Sequence, residues 1–286
     1  MNPPYEFSTR RSVSNKIVWR LLTLTISAAA VLGISASSHI VYGQSTEQAD
    51  STDTSPIDPA VIEALNKMGT YLRALPAYQV TANITKDDVT EDGQTIQSGT
   101  KVDLMAVRPN RLRAEITADD RHQFLYFDGK NFTMYGAHLN YYATVPAPPT
   151  LADLAKAVYD KYGIELPLVD LFLWGTNDAN VKRIKSAIDI GPTSIDNITC
   201  EHYAFHQQDI DWQLWIQLGD FPLPRKLVIR TLTDDARPQF SETLSWNLAP
   251  SYSDDAFTFT PPPGAERISI AVVQNSSTDT SSDTAK

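Results

Sequence analysis

The sequence predicts a mainly β domain of short antiparallel strands, with a few helices packed against the sheet. Two aromatic-rich runs, 123–127 and 131–135, are joined by Asp128-Gly129, a dipeptide that favours a tight hairpin because glycine adopts positive φ without strain. More strand-like runs follow at short, regular intervals before and after an apolar helical segment. This spacing is typical of an antiparallel sandwich or barrel.

The first 43 residues are predicted to be a secretory signal peptide or a signal anchor. Basic residues between Arg10 and Arg20 precede a run, 21–46, that contains no Lys, Arg, Asp or Glu, which is the pattern of an export signal. Cleavage fits after Ala36 or after Gly43. Retention as an anchor is the alternative, because about 20 apolar residues span a bilayer. Either outcome leaves the rest of the chain outside the cytosol, and the predicted location is the periplasm.

The folded domain is predicted to span residues 58–270, between two polar segments. Residues 44–57 and 271–286 are rich in Ser, Thr, Asp and Gln, so they bury too little apolar area to order themselves and are predicted to be a disordered tether and tail. The segment between them is long enough for one domain with a sizeable core.

Charge and cysteine content exclude several classes of protein. The formal net charge is −10, whereas nucleic-acid binding needs clustered Lys and Arg. Cys200 is the single cysteine, so no intramolecular disulfide forms. No cysteine lies just after the export signal, so a lipid-anchored form of the protein is not expected. No cofactor is predicted.

The domain is predicted to begin with a helix that is capped by Asp58 and has Pro59 at its first position. Apolar residues then recur at helical spacing from Val61 to Leu75, and Pro76 ends the helix. Such a helix has one apolar face, which must lie on another element.

Most of the remaining domain is predicted to be strand, with polar or Gly-containing turns between successive runs. The predicted strands are 78–88, 96–107, 111–116, 123–127, 131–135, 141–145, 187–190, 202–207, 212–217, 225–232 and 240–248.

A helical insert interrupts the strands after the Pro-rich run 146–149. Thr150 can cap a helix over 151–162, and Gly163 fits as its C-terminal stop. The very apolar run 166–174 predicts a further helical turn or two.

Two groups of residues have the composition of a chemical site. Cys200, His202 and His206 share one face of a strand and could contribute to a zinc site, which needs three or four such ligands; ordinary polar residues on an outer face are the favoured interpretation, and no metal site is predicted. Glu165 and Asp170 could form a carboxylate pair, although Asp170 is expected to face water. No catalytic residues are predicted, since known catalytic motifs are missing from the sequence.

Several runs together resemble the DUF2092 group of predicted periplasmic proteins, within the LolA/LolB-like lipoprotein-carrier superfamily. The runs include RPNRLR at 108–113, FDGKNF at 127–132, CEHYAF at 200–205, LPRKL at 223–227 and AFTFTPP at 256–262. The resemblance implies an unclosed antiparallel β-barrel whose open side is covered by helices and whose interior holds acyl chains. The helix from Asp58 and the insert 151–174 would then be the cover.

The resemblance suggests which residues would form the site. The predicted cavity residues are Phe124, Tyr126, Phe132, Met134, Tyr142, Leu151, Leu154, Leu171, Trp212, Leu214 and Leu227. A packed core is the alternative interpretation for each of them. Arg108, Arg111 and Arg113 are expected at the cavity rim, where a guanidinium could bind a polar head group or fasten the helical lid.

The leading functional prediction is a periplasmic carrier or binder of an acylated lipid or lipoprotein. It would touch the membrane transiently or through an uncleaved N-terminal anchor. The alternative is an envelope sensor or scaffold that binds a segment of a protein partner, and an enzyme is the third and least favoured interpretation.

Overall fold

The computed structural model describes residues 56–174, 181–253 and 255–272. The predicted export signal, and most of the predicted tether and tail, lie outside the described residues.

The described chain forms one sheet of twelve strands. Its strands are β1 (Ala77–Val89), β2 (Thr95–Val107), β3 (Arg111–Ala118), β4 (His122–Phe127), β5 (Asn131–Gly136), β6 (Tyr141–Pro146), β7 (Ser186–Ile195), β8 (Ile198–His206), β9 (Ile210–Gln217), β10 (Pro224–Thr231), β11 (Gln239–Asn247) and β12 (Glu266–Arg267). Neighbouring strands follow the order β12-β6-β5-β4-β3-β2-β1-β11-β10-β9-β8-β7. All pairs are antiparallel except β12 with β6, which is parallel.

The sheet is open, and it curves around a single core. β12 and β7 are its two edges. Alternate residues of a strand point to opposite faces, and those of one face, which we call the inner face, join one continuous buried cluster with the helices. That cluster contains residues from β2–β5 on one side and β8–β10 on the other, so both halves of the sheet bend toward the same helices. The predicted unclosed antiparallel barrel with a helical cover is confirmed.

Three helices of the described chain cover the inner face, at the positions that capping and spacing predict. They are α1 (Pro59–Ala74), α2 (Leu151–Tyr162) and the single turn α3 (Asp170–Leu173). The Asp58 carboxylate accepts from the Ala60 amide at 2.9 Å, and the Thr150 hydroxyl accepts from the Asp153 amide at 3.2 Å. Gly163 ends α2 at a φ of 66°, a left-handed conformation that favours glycine.

The chain after β11 was not assigned by the sequence. It forms a strap (residues 248–253 and 255–268) across the opposite, outer face of the sheet. The Tyr252 hydroxyl donates to the Tyr78 carbonyl of β1 at 2.7 Å, and the strap ends as β12 on the edge of β6. The strap has little apolar alternation, so its path depends on contacts with residues far away in the sequence.

Candidate functional site

The candidate ligand-binding face is the inner face together with the helices that cover it. Eight of the predicted cavity residues lie here, on strands of both halves of the sheet and on the insert (residues 151–174). They are Phe132, Met134, Leu151, Leu154, Leu171, Trp212, Leu214 and Leu227. In this conformation the helices fill the hollow of the sheet with their own side chains, since Leu154 is fully buried and Leu171 is 3% exposed.

The other three predicted cavity residues, Phe124, Tyr126 and Tyr142, lie on the outer face. Phe124 and Tyr126 flank Leu125, which is buried in the core, and Tyr142 pairs with Tyr135 on that same outer face. The ring of Phe259 in the strap lies 5.4 Å from the ring of Tyr126 and 5.1 Å from that of Tyr142. The strand register therefore corrects the prediction that these three residues line the cavity, because aromatic content does not reveal which face of a strand a residue occupies.

The three predicted rim arginines also separate. Arg108 follows β2, and its guanidinium donates to the Leu72 carbonyl of α1 at 3.4 Å. Arg111 and Arg113 alternate with the buried Leu112 and therefore project from the outer face. The Arg113 guanidinium lies 5.7 Å from the centre of the Tyr126 ring. Of the three, Arg108 alone is placed where it joins the sheet to a covering helix.

Two carboxyl groups with raised pKa values belong to elements that form the core, one on β11 and the other at the start of α3. Glu242 lies on the inner face of β11, opposite Ile84 of β1 and Leu227 of β10, and is 6% exposed. Burial, and to a smaller extent the charge of Asp170, raises the pKa of Glu242 to about 8. Burial likewise raises the pKa of Asp170, to about 6. The Asp170 side chain is half-buried, so it faces water less freely than the sequence predicts.

The sequence analysis missed Glu242, although a signal for it exists. Phe240, Glu242, Leu244 and Trp246 alternate along β11 as one face, and three of the four are apolar. An acid in that pattern indicates a buried carboxyl group, because the register cannot expose it without exposing its neighbours.

Further polar groups on the inner face have no hydrogen-bond partner among the described residues. The buried indole nitrogen of Trp212 and the buried hydroxyl of Thr231 both belong to this set. Charged groups lie further along β1, past Ile84. The Lys86 ammonium lies 2.8 Å from the Asp88 carboxylate. Burial raises the pKa of Glu165, an effect that the charge of Lys86 opposes. The end of the inner face near Lys86 and Glu165 is therefore polar, whereas the centre of the inner face is apolar.

The predicted zinc candidates lie on the outer face and have other partners. The His202 ring stacks on Trp215 with 4.0 Å between ring centres, and the His206 Nδ1 lies 2.7 Å from the Asp211 carboxylate. Cys200 is buried beside Trp215 and Val228. Among the described residues, no group of three or more His, Cys, Asp and Glu is arranged to hold a metal ion.

A groove of mixed polar and apolar lining lies at the edge of the sheet. A groove of about 320 Å³ runs between β6 and the end of the strap, lined by Thr144, Val145 and residues 267–270. Ile268 is 49% exposed there. This groove is separate from the hollow that the helices cover.

These features define an open-sheet protein whose apolar inner face is covered by helices. The chain belongs to DUF2092, a family of predicted periplasmic proteins, which matches residues 61–271. No curated protein matches it. Within residues 56–174, 181–253 and 255–272, no helix is long and apolar enough to cross a membrane.

Several solved structures are similar to the chain over most of their own length. An uncharacterized conserved protein from Thermus thermophilus is 11% identical with a TM-score of 0.42, covering 73% of this chain and 99% of that one. The lipoprotein LppX from Mycobacterium tuberculosis is 14% identical with a TM-score of 0.42, covering 68% and 98%. A LolA superfamily protein from Nitrosomonas europaea is 11% identical with a TM-score of 0.32, covering 70% and 97%. At these identities and TM-scores, the likenesses carry no functional argument.

Proposed function

We propose that this protein binds the acyl chain of a lipid or lipoprotein in the periplasm, between the inner face and the helices, and carries it between envelope sites. The observation that supports the proposal most is the construction of the core. One half of the core comes from a continuous sheet, and the other half comes from helices rather than from a second sheet. The family's predicted periplasmic location agrees with an envelope ligand.

The insert is the part of the cover that we assign as the lid. It follows β6 in the chain, and its last helix, α3, is a single helical turn. Its side chains Leu151, Leu154, Leu171 and Phe172 occupy the hollow. An acyl chain would take their place once the insert moves away from the sheet.

Magnitudes suggest that this exchange is reversible. Burying an acyl chain of about sixteen carbons yields up to roughly 13 kcal/mol, at ~0.8 kcal/mol per methylene. Exposing the four side chains of the insert costs about 6–12 kcal/mol, at roughly 1.5–3 kcal/mol each. The two quantities are of similar size, so binding would be weak enough to permit release, as a carrier requires.

Co-purification tests the proposal directly. The full chain is expressed with its own N-terminus in a bacterial envelope, purified without detergent exchange and extracted for mass spectrometry. We expect a lipid or acylated peptide in stoichiometric amount. A lipid-free protein that also fails to take up a fluorescent fatty acid would overturn the proposal.

Variants of the insert test the assignment of the lid. Leu154→Arg and Leu171→Arg each place a charge in the hollow, and we expect uptake of the fluorescent fatty acid to fall at least about tenfold, since burying an unpaired charge costs several kcal/mol. Asn66→Arg, at an exposed position of α1, is the matched control and should keep wild-type uptake. Circular dichroism confirms that the sheet persists. Unchanged uptake in both insert variants would show that the insert is not the lid.

The groove at β6 favours a second candidate, a scaffold that binds an extended protein segment. β12 pairs with only two residues of β6, and Thr144 and Val145, further along β6, border the groove. An added strand could pair there through its main chain. This candidate predicts a protein partner cross-linked to the β6 edge in a lipid-free preparation.

A further inference from the structure

We propose that the indole N–H of Trp212 and the hydroxyl of Thr231 form a subsite for the ester or amide carbonyl of an acyl ligand, at one end of the inner face. The hydrocarbon chain of the ligand would extend from there along the apolar centre of that face. This inference rests on the function proposed above, because it names the part of the same site that holds the polar end of the ligand.

The two groups lie on the same face of two adjacent strands. Trp212 of β9 pairs with Ile229 of β10, and Ile210 pairs with Thr231 two positions further along. Ile210, Trp212 and Ile229 belong to the core cluster of the inner face, and Thr231 shares that face because it alternates with Ile229. Such diagonal neighbours are about 7–8 Å apart, within reach of an aromatic side chain. One carbonyl oxygen, which has two lone pairs, can therefore accept from both groups.

Both groups are buried, yet neither has a hydrogen-bond partner within residues 56–174, 181–253 and 255–272. Trp212 is 8% exposed and Thr231 is 5% exposed. Buried polar groups of folded proteins are almost always hydrogen-bonded, and an unpaired one costs the free energy of its lost hydration. Two such groups on adjacent strands indicate a position that the acceptor of a ligand would complete.

The surroundings of the Trp212 ring fix its orientation and supply an apolar wall. The Phe205 ring of β8 stacks on it, with 3.8 Å between ring centres and 9° between ring planes. A ring that is already held in place loses little freedom when a ligand binds. Leu214 and Leu227 form the next inner-face pair along the same two strands, and both are buried. A surface for the hydrocarbon chain therefore begins directly beside the polar groups.

The charges near this end of the inner face favour an uncharged acceptor. The Arg183 guanidinium lies 3.3 Å from the Asp209 carboxylate, and the Lys86 ammonium of β1 is paired with Asp88 at 2.8 Å. A carboxylate bound to two neutral donors would lose much more hydration than an ester or amide carbonyl. The subsite is therefore expected to prefer an esterified or amidated acyl chain over a free fatty acid.

Urea denaturation of the ligand-free full chain tests whether the Thr231 hydroxyl is unpaired. Thr231→Val replaces the hydroxyl by a methyl group of similar size, and we expect the same or a higher urea midpoint, because no hydrogen bond is lost. Thr133→Val is the matched control. Thr133 is also 5% exposed, but its hydroxyl lies 2.9 Å from that of Thr144, so its loss should lower the midpoint. An equal fall in both variants would show that Thr231 already has a partner, and would overturn the subsite.

Two neutral probes then separate the polar end of a ligand from its hydrocarbon chain. They are methyl palmitate, which has an ester carbonyl, and hexadecane, which has none. We expect Thr231→Val to bind methyl palmitate at least about fivefold more weakly than the wild type, since the carbonyl loses a donor, and to bind hexadecane within about twofold of it. Thr243→Val, on the opposite face of β11 from the buried Glu242 and Leu244, should bind both probes as the wild type does.

NMR of the Trp212 indole proton reports on the second donor. Its resonance, identified by its loss in Trp212→Phe, should move downfield when methyl palmitate binds and stay in place when hexadecane binds. An unmoved resonance, together with unchanged methyl palmitate binding by Thr231→Val, would overturn the subsite and leave the carrier function standing. Binding of neither probe by the wild type would reject the carrier function and the subsite with it.

A variant at the opposite end of the inner face offers a further comparison. The buried Tyr78 hydroxyl also lacks a hydrogen-bond partner within the described part of the chain. Weaker binding of methyl palmitate by Tyr78→Phe, with wild-type binding by Thr231→Val, would place the polar end of the ligand there and contradict the proposed subsite.

Discussion

At the scale of single residues, Arg108 shows how one side chain can connect the sheet to its cover. Its guanidinium reaches the Leu72 carbonyl near the end of α1, while its buried Nε has no hydrogen-bond partner among the described residues. It also lies close enough to Tyr78 to oppose the rise that burial causes in the pKa of that phenol. The resemblance to lipoprotein carriers suggested an arginine that fastens the lid; here the contact is with α1, and the role in a lid stays a prediction.

Replacing this arginine should loosen the cover. We expect Arg108→Ala to lower the free energy of unfolding by about 1–2 kcal/mol, because the Leu72 carbonyl loses a charged donor. Arg121→Ala, at an exposed turn, removes the same charge and should change stability by less than about 0.5 kcal/mol. Urea denaturation measures both. Equal losses in the two variants would mean that the Leu72 contact contributes nothing.

At the scale of elements, the β4–β5 hairpin is specified locally. The Asp128 carboxylate accepts from the amides of Lys130 and Asn131 at 2.8 and 2.7 Å. Burial alone would raise the pKa of Asp128, but these amides lower it below its ordinary value. Gly129 occupies a φ of 90°, so the turn uses the conformational freedom that made Asp-Gly recognisable in the sequence.

The turn therefore gives a matched pair of glycine variants. A Cβ added at Gly129 would lie 2.7 Å from the Asn110 side-chain nitrogen, and the residue would also be strained at positive φ. We expect Gly129→Ala to lower the melting temperature, with a loss of at least about 1 kcal/mol. A Cβ added at Gly99 in β2 would have no neighbouring atom within 4 Å.

Gly99→Ala should accordingly be neutral or slightly stabilising, since alanine restricts the unfolded chain more than glycine does. Thermal unfolding of the two variants side by side is the measurement. A Gly129→Ala protein as stable as Gly99→Ala would show that Asn110 and the backbone relax freely at the turn.

At the scale of the whole molecule, the buried acids make stability depend on pH. Glu242 has a raised pKa in the folded state, so the native protein binds more protons than the unfolded chain between about pH 4.5 and pH 8. Stability from this group is thus greatest at low pH and declines as the pH rises through that window. The carboxyl group costs free energy at neutral pH, because burial disfavours its charged form.

Glu242→Leu should for this reason stabilise the protein, and more strongly at pH 8 than at pH 5. We expect a gain on the order of 2 kcal/mol at pH 8, because leucine fits the apolar surroundings without the cost of a buried acid. Urea denaturation at the two pH values provides the measurement. The same gain at both pH values would show that the ionisation of Glu242 is not what limits stability.

Local interactions made much of the fold predictable. The N-caps of α1 and α2 and the Asp-Gly turn depend on residues within three positions of each other, and they lie where the sequence predicts them. Strand positions follow from alternation, with two exceptions. β7 extends further than predicted and β8 begins earlier, because the two strands continue to pair through their main chains beyond the apolar residues. β12 has two residues, too few for any pattern.

What the sequence by itself determined is the set of elements, their order and the apolar character of one face of the sheet, because these arise from neighbouring residues. Only the tertiary structure decided which face each aromatic residue occupies and what covers it. Tyr126 lies under Phe259, more than a hundred positions away, and the Tyr252 hydroxyl donates to the Tyr78 carbonyl, which is still further away in the sequence. Contacts of such separation depend on how the sheet curves, and that curvature is a property of all its strands together.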